Sequence, residues 1–229
     1  MSTTLEPFHD RAWTVFHPLK LAGIALGTRA TILKLPSGGL TIISPVPFHD
    51  DLASQIDALG PVENIIAPNL FHHFYFNAAC ERWPQARALV PRGLKKKVSI
   101  IDRASELSPS GAIDDTLFWH RLEGTPLAGE HLFVYPDIET LVITDLAFNF
   151  HQHPQLWLRI TMTLNGVYNT FGCSRLFRST IKDKKAFGSS LLPLLDYPWD
   201  SIILPHGDLI PHGARALFEE TFRPFIPAS

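Results

Sequence analysis

Apolar positions in the first half of the chain come in short runs of β-branched and aromatic residues, each closed by proline, glycine or paired acids. AWTVFHP, GIALGTRATILKLP and GGLTIISPVP are such runs, and they predict strands. PSGG lies between the last two and has turn chemistry, so residues 30–44 read as a β-hairpin. The period then lengthens. In HDDLASQIDALG, Leu52, Ile56 and Leu59 share one helical face, Asp50 or Asp51 is placed to cap it, and Gly60 to end it. VENIIAPN reads as a short buried strand, FNAACERWP as a helix stopped by Pro84, and ARALVP as another strand.

Residues 91–115 are polar and predict a loop with a short helix. TLFWHRLEG, EHLFVYP and ETLVITD follow as three strands, the last two joined by a turn at PDIE. The pattern changes over residues 151–197. LWLRITMTLNGVYNTFG and RLFRSTIKDKKAFGSSLLPLLDY carry helical spacing with aromatic and basic residues, which predicts a helical insert, a cap over a site. DSIILPHGD reads as a last strand. PHGARALFEETFRPF reads as a closing helix with Pro211 in its first turn and Ala214, Leu217, Phe218 and Phe222 as its apolar stripe. There is no internal repeat beyond a rough β-then-α order that occurs twice, and no low-complexity segment.

Composition narrows the class. The chain has 229 residues, of which 45% are hydrophobic and 18% charged, enough to bury one large core, and a single domain over 1–229 is expected. A net charge of −2 gives no drive towards nucleic acid or an acidic membrane surface, and the lysines of LKKKVS read as a local solvated face. No apolar run reaches the ~18–20 residues of a membrane span. MSTTLEPFHDRAW lacks a basic segment followed by an apolar run, so no signal peptide is expected and the expected location is the cytoplasm. Cys80 and Cys173 are far apart and in no C-x-x-C spacing, which argues against a disulfide scaffold, a zinc finger or a redox motif.

The candidate chemistry lies at three strand ends. NIIAPN leads to His72 and His73, LVITD ends on Asp145, and SIILPHGD ends on His206 with Asp208 just beyond. In layered α/β folds, sites form where loops leave adjacent strand ends. An aspartate after LVIT is costly in a core unless it is paired or metal-bound. Two or three imidazoles with one carboxylate make a ligand set for zinc or iron, and such an ion lowers the pKa of water to near neutrality. Asp208 is placed to orient His206. His151 and His153 read as a solvent loop, and His120 and His131 as packing or surface residues. Tyr75, Arg178 and Lys182 are candidates to line a pocket for an anionic substrate, and a basic helix face accounts equally for the last two. The chain has no G-x-S-x-G, no P-loop and no G-x-G-x-x-G, so serine-hydrolase, nucleotidase and dinucleotide chemistries are poorly supported.

The order of these elements resembles the metallo-β-lactamase superfamily from about residue 30 to 225. APNLFHH lies over that superfamily's T-H-x-H-x-D-H, EGTPLAGEHLFVYPDIETLVITDLAF over the stretch from its G-H-T element to its G-D strand, and ILPHGD over its final histidine element. The resemblance implies an α/β (α+β) fold, a four-layer αββα sandwich with the site at one edge. The first metal site of the superfamily would fall on Pro68, Leu70 and a histidine-free GT, so it cannot form here. The second implies His72, His73, Asp145 and His206 as ligands of one divalent ion, Zn²⁺ first and Fe²⁺ as the alternative. Asp145 would bind metal and position water; His72 would be a ligand or a general base. The implied activity is that of a metal-dependent hydrolase of a small-molecule substrate. A non-catalytic metal-binding or regulatory module, and a mononuclear iron oxidoreductase, are the alternatives.

Overall fold

The computed structural model describes residues 4–227. Residues 1–3 and 228–229 lie outside the described residues, and with them the start of MSTTLEPFHDRAW and the two ends of the expected 1–229 domain. Seven strands form the first sheet: β1 (Leu5–His9), β2 (Ala12–His17), β3 (Thr28–Lys34), β4 (Leu40–Ile43), β5 (Val62–Ile66), β6 (Arg87–Val90) and β7 (Ser105–Glu106), in that order. β1 to β4 run antiparallel; β4 to β7 are parallel. The parallel crossovers carry α1 (Asp50–Asp57), α2 (Phe76–Arg82) and α3 (Leu94–Lys97).

The second sheet has the order β14 (Ser201–Ile203), β11 (Thr140–Val142), β10 (His131–Tyr135), β9 (Leu117–Arg121), β8 (Ser110–Ile113). A two-stranded sheet pairs β12 (Phe148–Asn149) with β13 (Phe171–Gly172). Residues 151–197 hold α4 (Leu156–Leu164), α5 (Arg175–Ser179) and α6 (Lys184–Leu191), and α7 (Ala214–Phe222) follows β14.

Period-2 alternation builds the layers. Leu132 and Val134 of β10 turn outward to a core shared with Phe187 of α6 and Phe218 and Phe222 of α7. Phe133 and Tyr135 turn inward, where Val142 and Ile203 meet Leu33, Ile43 and Ile66 of the first sheet. The outer face of the first sheet, with Ile32, Ile42 and Ile65, packs under Leu52 and Ile56 of α1 and Phe76 and Cys80 of α2. The result is helices, sheet, sheet, helices, as expected. Each fully buried Phe or Ile is worth ~1.5–3 kcal/mol over an exposed one. Cys80 and Cys173 are free and buried, and burial pushes their thiols up to about 11 and about 12. Among the described residues no helix is long and apolar enough to cross a membrane.

Several local expectations are corrected. α1 is preceded by His49 at its cap position with no side-chain cap; Asp50 and Asp51 lie in its first turn, where the helix dipole favours acids. Pro211 lies outside α7, which begins at Ala214, and Leu217 of the expected stripe is 41% exposed. β1 escapes notice because Pro7 interrupts it, a residue tolerated there on an edge strand. Within residues 91–115 the structure adds β7 and β8 to the expected helix. β8 is legible only through its partner: Gly111 lies directly against the Trp119 ring, where a Cβ could not fit, and Trp119 Nε1 donates to Ser108 O at 3.0 Å.

Candidate metal centre

Three strand ends deliver the site, one from the first sheet and two from the second. Beyond β5, Asn69 is fully buried. Its Oδ1 accepts from the backbone N–H of Phe71 at 2.9 Å and of His72 at 2.7 Å, which turns the chain back and fixes the His72 backbone. Its Nδ2 donates to Thr144 Oγ1 at 2.9 Å and to Asp145 Oδ2 at 2.6 Å, so one side chain ties the β5 loop to the end of β11. Beyond β14, His206 is buried, and its Nδ1 lies 2.9 Å from the Gly27 carbonyl.

These turns bring His72, Asp145 and His206 together, with ligand atoms all within 4.8 Å of one another. His72 Nε2 lies 3.2 Å from His206 Nε2. Asp145 Oδ1 is 3.6 Å from His72 Nε2 and 3.5 Å from His206 Nε2. A tetrahedral ion with bonds of ~2.0–2.1 Å holds its ligands ~3.3–3.4 Å apart, so the donor triangle fits zinc in spacing and in chemistry.

The hydrogen bonds set the direction of the lone pairs. A carbonyl only accepts, so His206 Nδ1 carries a proton and donates to Gly27 O. Burial first, and the neighbouring His72 ring after it, lower the pKa of His206 below 6.5 against the pull of Asp145. Its Nε2 lone pair therefore faces the other two groups. His72 Nδ1 is held by Ser44 Oγ at 2.8 Å. Ser44 is buried and adopts φ +56°, a left-handed conformation that a non-glycine residue rarely takes and that often marks functional sites. Burial works against the charge on Asp145, but the His72 and His206 imidazoles hold its carboxyl well below the usual carboxylate range.

The fourth residue expected in the set is not brought to this triangle. His73 is absent from the clustered group; its ring packs beside Phe74, with centroids 5.1 Å apart, on the wall of the same cavity. Burial, and then Lys97 and His72, lower its pKa. Asp208 does not orient His206: Gly27 does, and Asp208 Oδ2 accepts from the His151 N–H at 3.2 Å. His151 is held by Asn149 Oδ1 at 2.8 Å, outside the cluster. His131 is a packing residue, fully buried in β10. Tyr75 lines the cavity above the triangle, whereas Arg178 lines a separate cleft.

Sequence reasoning missed Asn69, Ser44 and Glu130. Glu130 is fully buried; its Oε1 accepts from Thr144 N at 2.7 Å and its Oε2 has no partner among the described residues. Burial, and next the charge of Asp145, push its carboxyl up to about 7. The folded protein thus keeps a proton that the unfolded chain releases from about 4.5 upward. Stability from this group is full below that value and is lost as the pH rises towards 7. Glu130→Gln keeps the acceptor and cannot ionise. It is expected to melt close to the wild type near pH 5 and to be more stable by roughly 2–3 kcal/mol near pH 8. Urea unfolding at the two pH values checks this; an equal effect at both would place the Glu130 charge elsewhere.

No protein-family model matches this sequence, and no curated protein is significantly similar to it. Solved structures are similar over nearly the whole chain. A metallo-beta-lactamase from Pontibacter korlensis superposes with a TM-score of 0.62 at 10% identity, covering 97% of this chain and 99% of that one. The metallo-beta-lactamase FIM-1 from Pseudomonas aeruginosa, in its mono-zinc form, gives 0.64 at 12% identity over 99% and 98%. The chain has the metallo-beta-lactamase fold. A flavodiiron core, Flv1 from Synechocystis sp. PCC6803 soaked with metal, shares the fold too, with a TM-score of 0.65 at 12% identity over 97% of this chain and 60% of that one. Identities this low speak to the fold alone. In this metallo-beta-lactamase fold the three ligand-capable side chains lie where strand ends of the two facing sheets converge, at the edge of the sandwich.

Proposed function

We propose that this protein is a metal-dependent hydrolase that holds one divalent ion, zinc in the first instance, between His72, Asp145 and His206. The observation that supports it most is the donor triangle itself, with sides of 3.2, 3.5 and 3.6 Å. An ion in such a set supplies Lewis acidity and lowers the pKa of water towards neutrality. The chain's own groups divide the remaining work. Asp145 presents Oδ1 to the two imidazoles while Asn69 holds Oδ2, so the carboxylate cannot swing. Ser44 and Gly27 O fix the ring planes of His72 and His206. His73, kept neutral chiefly by burial, is placed on the cavity wall to accept a proton.

Elemental analysis of protein purified without affinity metal is expected to find about one zinc per chain. His206→Ala is expected to lose it, while His73→Ala and His151→Ala keep it. Loss in His73→Ala with retention in His206→Ala would move the site away from the triangle. A two-histidine, one-carboxylate set also suits Fe²⁺, and the flavodiiron neighbour shares the fold; iron with visible colour would favour redox chemistry. No metal, and no rise in melting temperature on adding zinc or iron, would leave a non-catalytic module.

A further inference from the structure

The three ligands form the floor of a cavity of about 340 Å³ whose walls are almost wholly carbon. Leu21 and Leu26 come from the segment between β2 and β3, Phe74 from the loop after β5, Phe148 from β12, and Leu176 and Phe177 from α5. Among the described residues no lysine or arginine lines the cavity. Lys97 stands outside it, over the Phe71 ring at 4.4 Å with its Nζ donating to Leu70 O at 2.8 Å. The two hydroxyls that flank α5 are taken up by the helix itself: Ser174 Oγ accepts from Phe177 N, and Thr180 Oγ1 donates to Phe177 O. Apart from the floor, the remaining polar side chains that line the cavity are uncharged or weakly basic: Thr28, His73 and Tyr75. The rim is apolar as well, with Leu21 44%, Phe74 63% and Leu176 71% exposed. Large apolar side chains left in water around a concave site mark a place where apolar surface is to be covered.

We propose that the site hydrolyses neutral carboxylic esters with an uncharged, apolar acyl chain, which lies against Leu26, Phe148 and Phe177 with its carbonyl at the His72–Asp145–His206 floor. This rests on the hydrolase reading and adds the substrate class. A charged acyl tail would lose its hydration against walls that offer no counter-ion. The volume is at the small end of the ~300–1,000 Å³ of small-molecule pockets, which suits one short chain or ring. In the reaction, water's oxygen bonds to the acyl carbon, the ester C–O bond breaks, and the alcohol leaves with a proton. The acid product ionises, and the walls add no cation to the ion proposed at the floor.

Two measurements test this. In the first, metal-free protein is loaded with the neutral fluorescent probe N-phenyl-1-naphthylamine, which is displaced by methyl ketones of about four to ten carbons. Affinity is expected to rise about three- to fourfold per added methylene until the cavity is full. In the second, zinc-loaded protein is given p-nitrophenyl acetate, butyrate and hexanoate, and the anionic half-ester of succinate. kcat/KM is expected to rise with chain length, and the half-ester to fall at least about tenfold below the butyrate of matched length. Leu176→Glu and Phe74→Glu, both at exposed positions, are expected to weaken ketone binding and to level the chain-length dependence. Ketone binding that rises with length without ester hydrolysis upholds the apolar pocket and overturns the hydrolase reading. Ester hydrolysis without chain-length dependence, or a preference for the half-ester, overturns the substrate class and leaves the hydrolase reading standing.

Discussion

Asp145→Ala is expected to lower zinc affinity by at least ~100-fold, the upper end of what losing a mere hydrogen-bond partner of a ligand costs. It removes the one carboxylate of the triangle and leaves two imidazoles, too few to complete a site. It also takes from Asn69 Nδ2 its 2.6 Å acceptor, so the link between the β5 loop and β11 is reduced to the bond with Thr144. Zinc at 100 times its Kd should stabilise the wild type by ~2.7 kcal/mol, or roughly 5–10 °C in Tm for a chain of this size. At the same zinc concentration the variant should gain no more than ~0.4 kcal/mol. Without metal the variant should also be the less stable protein, with a pH signature. The folded-state pKa of Asp145 lies below its ordinary value of 3.8, so its stabilising contribution is present above that value and fades as the pH falls. Calorimetry with zinc and melting curves from about pH 7 to pH 3 read both effects. A full zinc-induced rise in Tm in Asp145→Ala would remove the triangle from consideration.

Much of the fold was readable because its central strands are short continuous apolar runs bounded by turn residues. EHLFVYP declares β10 in either direction of reading, since both faces are buried under different layers. The same holds for the hairpin of β3 and β4 and for the order of β5, α2 and β6. What escaped has a common cause. β7 and β8 are short, rich in serine and glycine, and are held by ladder bonds and by Trp119 rather than by their own apolar pattern. Pro211 looked like a first-turn residue, yet α7 starts three residues later, at Ala214, where Asp200 accepts from the N–H groups of Gly213 and Arg215. A partner 13 residues away leaves no local mark.

The site divides along the same line. His72, Asp145 and His206 stand at strand ends, a feature that sequence position alone exposes. Which of two adjacent histidines faces the centre was beyond that logic. The resemblance places both in the ligand set, but the turn that Asn69 builds with the N–H groups of Phe71 and His72 directs only His72 inward and leaves His73 beside Phe74. The groups that aim the imidazoles, Ser44 Oγ and Gly27 O, lie 28 and 179 residues from their partners. Glu130 carries no local mark of its role, because the groups it meets, Thr144 N and the charge of Asp145, lie just beyond β11.

Gly207→Ala is expected to cost about 3–5 kcal/mol of stability and to weaken zinc binding together with it. Gly207 follows His206 and has φ +96°, a conformation that L side chains rarely adopt. A Cβ there would also run into the Asn149 carbonyl, 2.5 Å from its carbon and closer still to its oxygen, and would stand 3.1 Å from Phe150 N. That carbonyl cannot move aside freely. It accepts from Asp208 N at 2.6 Å, and Asn149 Nδ2 donates back to Asp208 O at 2.9 Å. Relief must therefore come from the loop that carries His206, whose ring is aimed by one bond to Gly27 O. Gly38→Ala separates the two contributions. Gly38 has φ +89°, but a Cβ added there would meet nothing within 4 Å, so it bears the conformational penalty alone, ~1–2 kcal/mol. It lies in the hairpin turn between β3 and β4 and should leave zinc affinity unchanged. If both variants melt together and bind zinc alike, the close approach of Gly207 to β12 is not what holds His206 in place.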